Sequence, residues 1–340
     1  MKILVIRLSS IGDVVLTTPV VRCIKQQVPQ VKLHYLTRSA FTPIMESNPY
    51  VDKTHAYHSD KIVQELKNEH FDLVIDLQKN HRSRKVCSAL HVRHTTFPKK
   101  NLQKWLMVHF KVKKIVSHIS DRYFLAAKSL HVTNDGKGLD YFFKYQDYSK
   151  SQASEVLVDV AEKEKLFLLE EKPYVVLVAG ANHVTKTIPP SQLNYLACNI
   201  KITTILIGGE SDRKTLSNAH LQWPENCINL CGKTTLAQSA FLMKHAACVI
   251  APDTGMMHIA SALHCKLIAI WGCTTPELGF APYCNDPNTA SLEVELSCRP
   301  CSKLGRKKCP KGHFRCMLNQ PWQRIANTAN DLALDSTSKK

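Results

Sequence analysis

The chain has 340 residues, 44% of them hydrophobic, and a formal net charge of +17. It is long enough to bury two cores of ordinary domain size, and no run of about 18 apolar residues occurs, which excludes a transmembrane helix. A charge of that size predicts an acidic partner: a phosphorylated ligand, an anionic membrane surface or a nucleic acid.

In chain order, Lys2–Ile6 reads as a strand, Arg7-Leu-Ser-Ser-Ile-Gly-Asp13 as a polar turn, and Val14–Gln27 as a helix with Pro19 inside it. Arg7 and Asp13 interrupt the apolar start, so a complete strand–helix unit rather than a signal peptide is expected, and with it a reducing cytosol. Asp13 falls near a strand's carboxyl end and a helix start, where an acid also complements the helix macrodipole. Lys32–Leu36 and Asp72–Leu77 read as further strands and Lys61–Asn68 as a helix.

From Leu77 to Leu130 the basic residues are Lys79, Arg82, Arg84, Lys85, Arg93, Lys99, Lys100, Lys104, Lys111, Lys113, Lys114, Arg122 and Lys128, against the single acid Asp121. Leu102, Trp105, Leu106 and Phe110 recur there at roughly helical spacing. Such a segment rests on an anionic membrane or grips a phosphorylated acceptor, or else it is a solvated helix with Trp105 in the core.

The polar stretch Tyr148–Lys172 contains a helix and leads to the second half. There Tyr174–Val178, Thr203–Ile207, Cys248–Ala251 and Lys266–Ile270 read as strands alternating with helices. The expected fold class is α/β, with Rossmann-like domains over 1–165 and 166–340. Each strand end carries polar residues. Gly180-Ala-Asn-His-Val-Thr-Lys186 follows the first, and Gly208-Gly-Glu-Ser-Asp212 the second. Pro252-Asp-Thr-Gly255 follows the third and opens a short helix that contains His258. Ligands bind beyond the carboxyl ends of such strands, and free amides at a helix start favour anions. An Asp/Thr cap with a turn glycine is the plainer reading of Asp253-Thr-Gly255. Cys231-Gly-Lys-Thr-Thr235 lacks the first glycine of a phosphate-binding P-loop, and neither half opens with Gly-x-Gly-x-x-Gly, which disfavours ATP hydrolysis and NAD chemistry.

The segments Arg7-x-Ser-x-x-Gly-Asp13 and Asp253-Thr-Gly-x-x-His258 together resemble the ADP-heptose:lipopolysaccharide heptosyltransferases of glycosyltransferase family 9. The resemblance runs over most of the chain. It implies two Rossmann-like domains facing a cleft (GT-B type), a last helix near Trp322–Leu334 returning to the first domain, and inverting transfer without metal or cofactor. The implied donor is ADP-heptose, and the implied acceptor is a phosphorylated lipopolysaccharide core at the inner membrane surface. Asp13 is then the candidate base and Lys186 the cation for the leaving diphosphate. The donor set is Thr185, Lys186, Glu210, Thr234, Asp253, Thr254, Gly255 and His258, and the acceptor set is Ser9, Ser10, Gly12 and Arg82. The family's Trp before proline is replaced here by Ile188. That change keeps open a different nucleotide sugar for another surface glycan. The net charge alone also suits a non-enzymatic nucleic-acid or membrane-surface binding protein.

Cys298-x2-Cys301, with Cys309, His313 and Cys316, has partial zinc-knuckle spacing. Structural zinc, disulfides and unlinked thiols all remain open for these four cysteines.

Overall fold

The computed structural model describes residues 1–144, 172–283, 287 and 289–337. Lys2–Ile6 (β1) lies at the centre of a parallel sheet with Lys32–Arg38 (β2), Lys53–Tyr57 (β3), Leu73–Asp76 (β4) and His94–Thr96 (β5), in the order β3-β2-β1-β4-β5. The second sheet holds Tyr174–Val178 (β6), Thr203–Ile207 (β7), Cys227–Asn229 (β8), Cys248–Pro252 (β9), Leu267–Trp271 (β10) and Thr289–Glu293 (β11), in the order β11-β10-β9-β6-β7-β8. All pairings are parallel. Central parallel strands are covered on both faces, and β6, β9 and β10 are accordingly buried along their whole length. Each fully buried Val, Leu or Ile there contributes roughly 1.5–3 kcal/mol.

Strand order reverses between β1 and β4 in the first sheet and between β6 and β9 in the second. Where neighbouring strands lead off in opposite directions, their connecting loops separate and leave a crevice at the carboxyl ends. Those two points place the candidate site loops.

The helices are Ile11–Val15 (α1), Thr18–Gln27 (α2), Thr42–Glu46 (α3), Ile62–Asn68 (α4), His81–Leu90 (α5), Asn101–Phe110 (α6) and Ile119–Phe124 (α7) in the first part of the chain. Pro190–Asn199 (α8), Glu210–Ser217 (α9), Leu236–His245 (α10), Gly255–Ala262 (α11), Arg315–Leu318 (α12) and Trp322–Thr337 (α13) follow. The single helix expected over Val14–Gln27 is broken. Thr17 Oγ1 and Thr18 Oγ1 donate to the Val14 and Val15 carbonyls at 2.7 and 2.8 Å. Pro19, which has no N–H to give, then falls in the first turn of α2, where none is required. The helix expected within 148–172 lies outside the described residues.

Two compact units result, neither a single continuous stretch. Residues 1–101, 115–144 and 279–283 build the first; Leu102–Lys114, 172–278 and 289–337 build the second. In the first unit the buried Arg22 of α2 grips Asp135 at 2.8 Å and also Asp140, tying the 132–144 segment down. Helix α6 belongs to the second unit. It buries Lys104 and Met107, and Lys111 Nζ donates to the carbonyls of Cys298 and Pro300 at 3.0 and 2.8 Å. The closing helix α13, which the family resemblance sends back to the first domain, buries Trp322, Ile325, Ala326 and Ala329 in the second unit's own core. The spacing of these four residues sets one apolar face, and β6, β9 and α8 take it. Among the described residues no helix is long and apolar enough to cross a membrane.

Candidate active site

In the first unit, β1 delivers Arg7 through Asp13 to the switch point. Asp13 Oδ2 accepts from Arg7 at 2.7 Å, from Ser10 N at 3.1 Å and from Ser10 Oγ at 3.0 Å. All these contacts fall on Oδ2. The side chain keeps 23% exposure. Burial alone would raise the Asp13 pKa, but the Arg7 guanidinium and the Ser10 donors outweigh it and hold the carboxyl below its ordinary range. Arg7 is itself buried; it donates to the Leu77 carbonyl at 2.6 Å and lies 5.8 Å from the centre of the Tyr123 ring.

Asp76 at the end of β4 and Gln78 in the loop after it complete this turn. Gln78 Oε1 accepts from Leu8 N at 2.9 Å and Ser9 N at 3.1 Å. The buried Asp76 accepts from Gln78 N, Lys79 N and Ser83 Oγ within 2.9 Å. Sequence spacing carries no sign of the Gln78 role, since about seventy residues separate it from Leu8 and Ser9. Ser9, Ser10 and Gly12 lie in this turn, with Ser10 turned to Asp13 and Gly12 buried. Arg82 does not join them by any hydrogen bond or ion pair. It lines an open cleft of about 700 Å³ with Arg38, Tyr57, His58 and Asp60, beyond the carboxyl ends of β2 and β3.

In the second unit, β6 ends in a loop whose 3-10 turn Val184–Lys186 carries the candidate lysine. Lys186 Nζ meets Asp253 Oδ2 at 2.6 Å, and Thr274 Oγ1 donates to the same oxygen at 2.7 Å. The two side chains are 15% and 8% exposed, so the pair is largely withdrawn from water. Lys186 thus arrives from one side of the switch point and Asp253 from the other. Thr254 caps α11 by accepting from Met256 N at 3.2 Å, with Gly255 as the first helical residue. His258 is buried one turn further on. Thr254 is thus the helix cap of the plainer reading, and Asp253 is the anchor of Lys186.

Other expected donor residues are placed differently. Thr185 is 2% exposed, and its hydroxyl works as a strut: Arg306 N donates to it at 2.8 Å, while it faces the Arg306 carbonyl and Cys273 Sγ at 3.1 Å. Glu210 is exposed at the start of α9 and forms a two-pronged pair with Arg213 at 2.6 and 2.8 Å. The acid that faces inward at this strand end is Asp212. Its Oδ2 accepts from Gly209 N at 2.8 Å, and burial raises its pKa. Thr234 shares a hydrogen bond with Ser239 at 2.8 Å beside α10. His183, next to Lys186 and Asp253, has its pKa lowered first by burial and then by the Lys186 charge. Ile188 is fully buried in the core, so the missing Trp is replaced by ordinary packing.

A methyl group on Gly180 would stand 2.0 Å from Asp212 Oδ2. Gly180→Ala is therefore expected to force Asp212 off Gly209 N and cost about 1–3 kcal/mol. Urea titration of both units' transitions checks this, and adding Asp212→Ala should recover most of the loss in a double-mutant cycle.

Among the described residues the cysteine tail brings no three metal-ligating groups together. Cys298 Sγ lies 3.8 Å from His313 Nε2, but among the described residues no third Cys or His of the tail joins this pair closely enough to hold one ion. All four cysteines are unlinked thiols. The tail is held instead by Arg299, which donates to the carbonyls of Gly272 and Thr274 at 2.6 and 2.8 Å, and by the Thr185–Arg306 contacts.

The profile of glycosyltransferase family 9 (heptosyltransferase) matches residues 60–311. Lipopolysaccharide heptosyltransferase 1 of Campylobacter coli is 24% identical over 293 residues, covering 81% of this chain and 84% of that protein. The structure of E. coli ADP-heptose lps heptosyltransferase II superposes with a TM-score of 0.74 at 19% identity, over 99% of this chain and all of that one. E. coli heptosyltransferase WaaC with ADP gives 0.64 at 20% identity, over 97% and 99%. At such identities the solved structures speak for the fold, the GT-B class with two parallel-sheet α/β domains, and the profile match speaks for the family. The chain is a glycosyltransferase and belongs to glycosyltransferase family 9.

Proposed function

We propose that the enzyme transfers heptose from ADP-heptose, with inversion and without a metal, to a lipopolysaccharide core or related glycolipid on the inner face of the cytoplasmic membrane. The observation that carries this reading is the pair of switch-point loops, one offering an ionised carboxylate and the other a sheltered ammonium beside a helix start. Asp13 takes the proton of the acceptor hydroxyl as the anomeric carbon gains oxocarbenium character. Lys186, with Thr254 and the Gly255 amide, carries the charge that develops on the leaving diphosphate. The acidic groups of the acceptor fall to Arg38 and Arg82 in the first unit's cleft. The names of the relatives, and the solved relative with ADP, support heptose and adenine.

Calorimetric titration with ADP, UDP, GDP and dTDP at moderate salt tests the donor. Selective ADP binding is expected. Preference for another base would replace ADP-heptose by a different nucleotide sugar, and no binding at all would overturn the donor site.

A further inference from the structure

Of the eleven large hydrophobic side chains exposed among the described residues, five fall between Leu102 and Ile115. On α6 the buried face is Lys104 and Met107, and the opposite face presents Leu102 (70% exposed) and Trp105 (48%) to solvent. Trp105 packs against His109 with tilted rings and against Phe110 edge-on, ring centres 5.0 and 5.4 Å apart. Phe110 and Val112 are also exposed. Trp105 is thus no core residue, and an aromatic cluster of this kind in water needs a partner.

The charge around it narrows that partner. Lys113 and Lys114 follow directly and are exposed. The three bonds of Lys111 Nζ to Val108, Cys298 and Pro300 bring the cysteine tail against the end of α6. That tail exposes Lys303, Arg306, Lys307, Lys308 and Lys311 and has no acid from Cys298 to Cys316. Two segments about 190 residues apart in sequence therefore form one cationic surface with an apolar, tryptophan-bearing ridge, all within the second unit. Tryptophan favours the lipid–water boundary, and each lysine or arginine near an anionic leaflet adds attraction. A nucleic acid would use the cations and leave the Leu102–Val112 ridge uncovered.

The geometry points to α6 and the cysteine tail as a docking surface for an anionic phospholipid bilayer, with Trp105 and Phe110 entering the interface and the tail's cations resting on the headgroups. Thr185 ties the tail to the loop of Lys186, so the surface holds the catalytic edge of this unit at the membrane. Because the purpose of this surface rests on the proposed glycolipid acceptor, its test uses vesicles without acceptor or donor and is read independently of transfer.

Purified enzyme is sedimented with vesicles of phosphatidylcholine alone or mixed with phosphatidylglycerol, and tryptophan emission is followed with brominated lipids. Binding to the anionic vesicles only, weakened by salt, is expected, with quenching of emission that Trp105→Phe abolishes. The other tryptophans, Trp223, Trp271 and Trp322, are buried or partly buried. Trp105→Ala/Phe110→Ala should weaken binding at least about tenfold, and Lys113→Gln/Lys114→Gln should flatten its salt dependence. These side chains are exposed, and unchanged near-ultraviolet circular dichroism shows that the variants fold. Equal binding to both vesicle types, no quenching, or wild-type binding by the aromatic double variant would overturn the assignment.

Discussion

Asp13→Asn is expected to lower kcat by about a hundred- to ten-thousand-fold, the range a positioned general base supplies, while ADP affinity stays within a few-fold. Asparagine keeps the shape and can still accept from Ser10, but it has no charge with which to take a proton. The change also leaves the buried Arg7 without its anion. A partly exposed partner such as Asp13 puts that stability cost at about 1–3 kcal/mol, so turnover is compared at a temperature where both proteins are folded. Unchanged kcat would remove Asp13 as the base.

The same pair has a pH signature. The Asp13 pKa is depressed because the Arg7 charge and the Ser10 bonds outweigh burial. Its stabilising contribution is therefore full above the unfolded carboxylate value and is lost as pH falls through the lower folded value. The acid limb of kcat/KM should accordingly lie below the usual carboxylate range, and Arg7→Gln should move it to higher pH. A limb that stays put in Arg7→Gln would assign it to another group.

The elements that position these loops were legible because they are apolar. Lys2–Ile6, Tyr174–Val178, Cys248–Ala251 and Lys266–Ile270 show in the sequence as short hydrophobic runs, as strands covered on both faces do. The edge strands did not show. Lys-Thr-His-Ala-Tyr57, His-Thr-Thr96, Cys-Ile-Asn229 and Thr-Ala-Ser-Leu-Glu293 are short and mixed, and become strands by pairing with a neighbour already in place. The site divides in the same way. Asp13, Lys186 and Asp253 stand at strand ends, where local pattern suffices. Gln78 and Thr274 act on residues far away in sequence, and only the sheet order brings them in. Glu210 and Asp212 share one loop, and their spacing cannot say which of them turns inward. Trp105 looks like a core residue by periodicity because an exposed apolar ridge and a core-facing stripe follow the same helical repeat.

Lys186→Ala is expected to weaken ADP binding and to lower kcat about a hundred- to a thousand-fold, the loss typical of one group aimed at developing charge. Lys186 is already paired with Asp253 at 2.6 Å, so a diphosphate must share the ammonium with a carboxylate. That carboxylate is nearly buried, and Thr274 Oγ1 holds it in place. Two consequences separate its role from that of a ligand contact. Removing Lys186 leaves Asp253 buried without its cation, at a cost of about 3–5 kcal/mol, which Lys186→Ala/Asp253→Asn should largely recover. Asp253→Asn alone removes a negative charge from beside the diphosphate while sparing the ammonium, so ADP should bind as well as to the wild type or more tightly. Turnover should still fall, because the ammonium is no longer held where charge develops in the transition state. Calorimetry and steady-state kinetics on the three variants decide between the roles. If Asp253→Asn loses ADP affinity as Lys186→Ala does, Asp253 contacts the nucleotide sugar itself; if it binds ADP normally and turns over slowly, the carboxylate acts through Lys186.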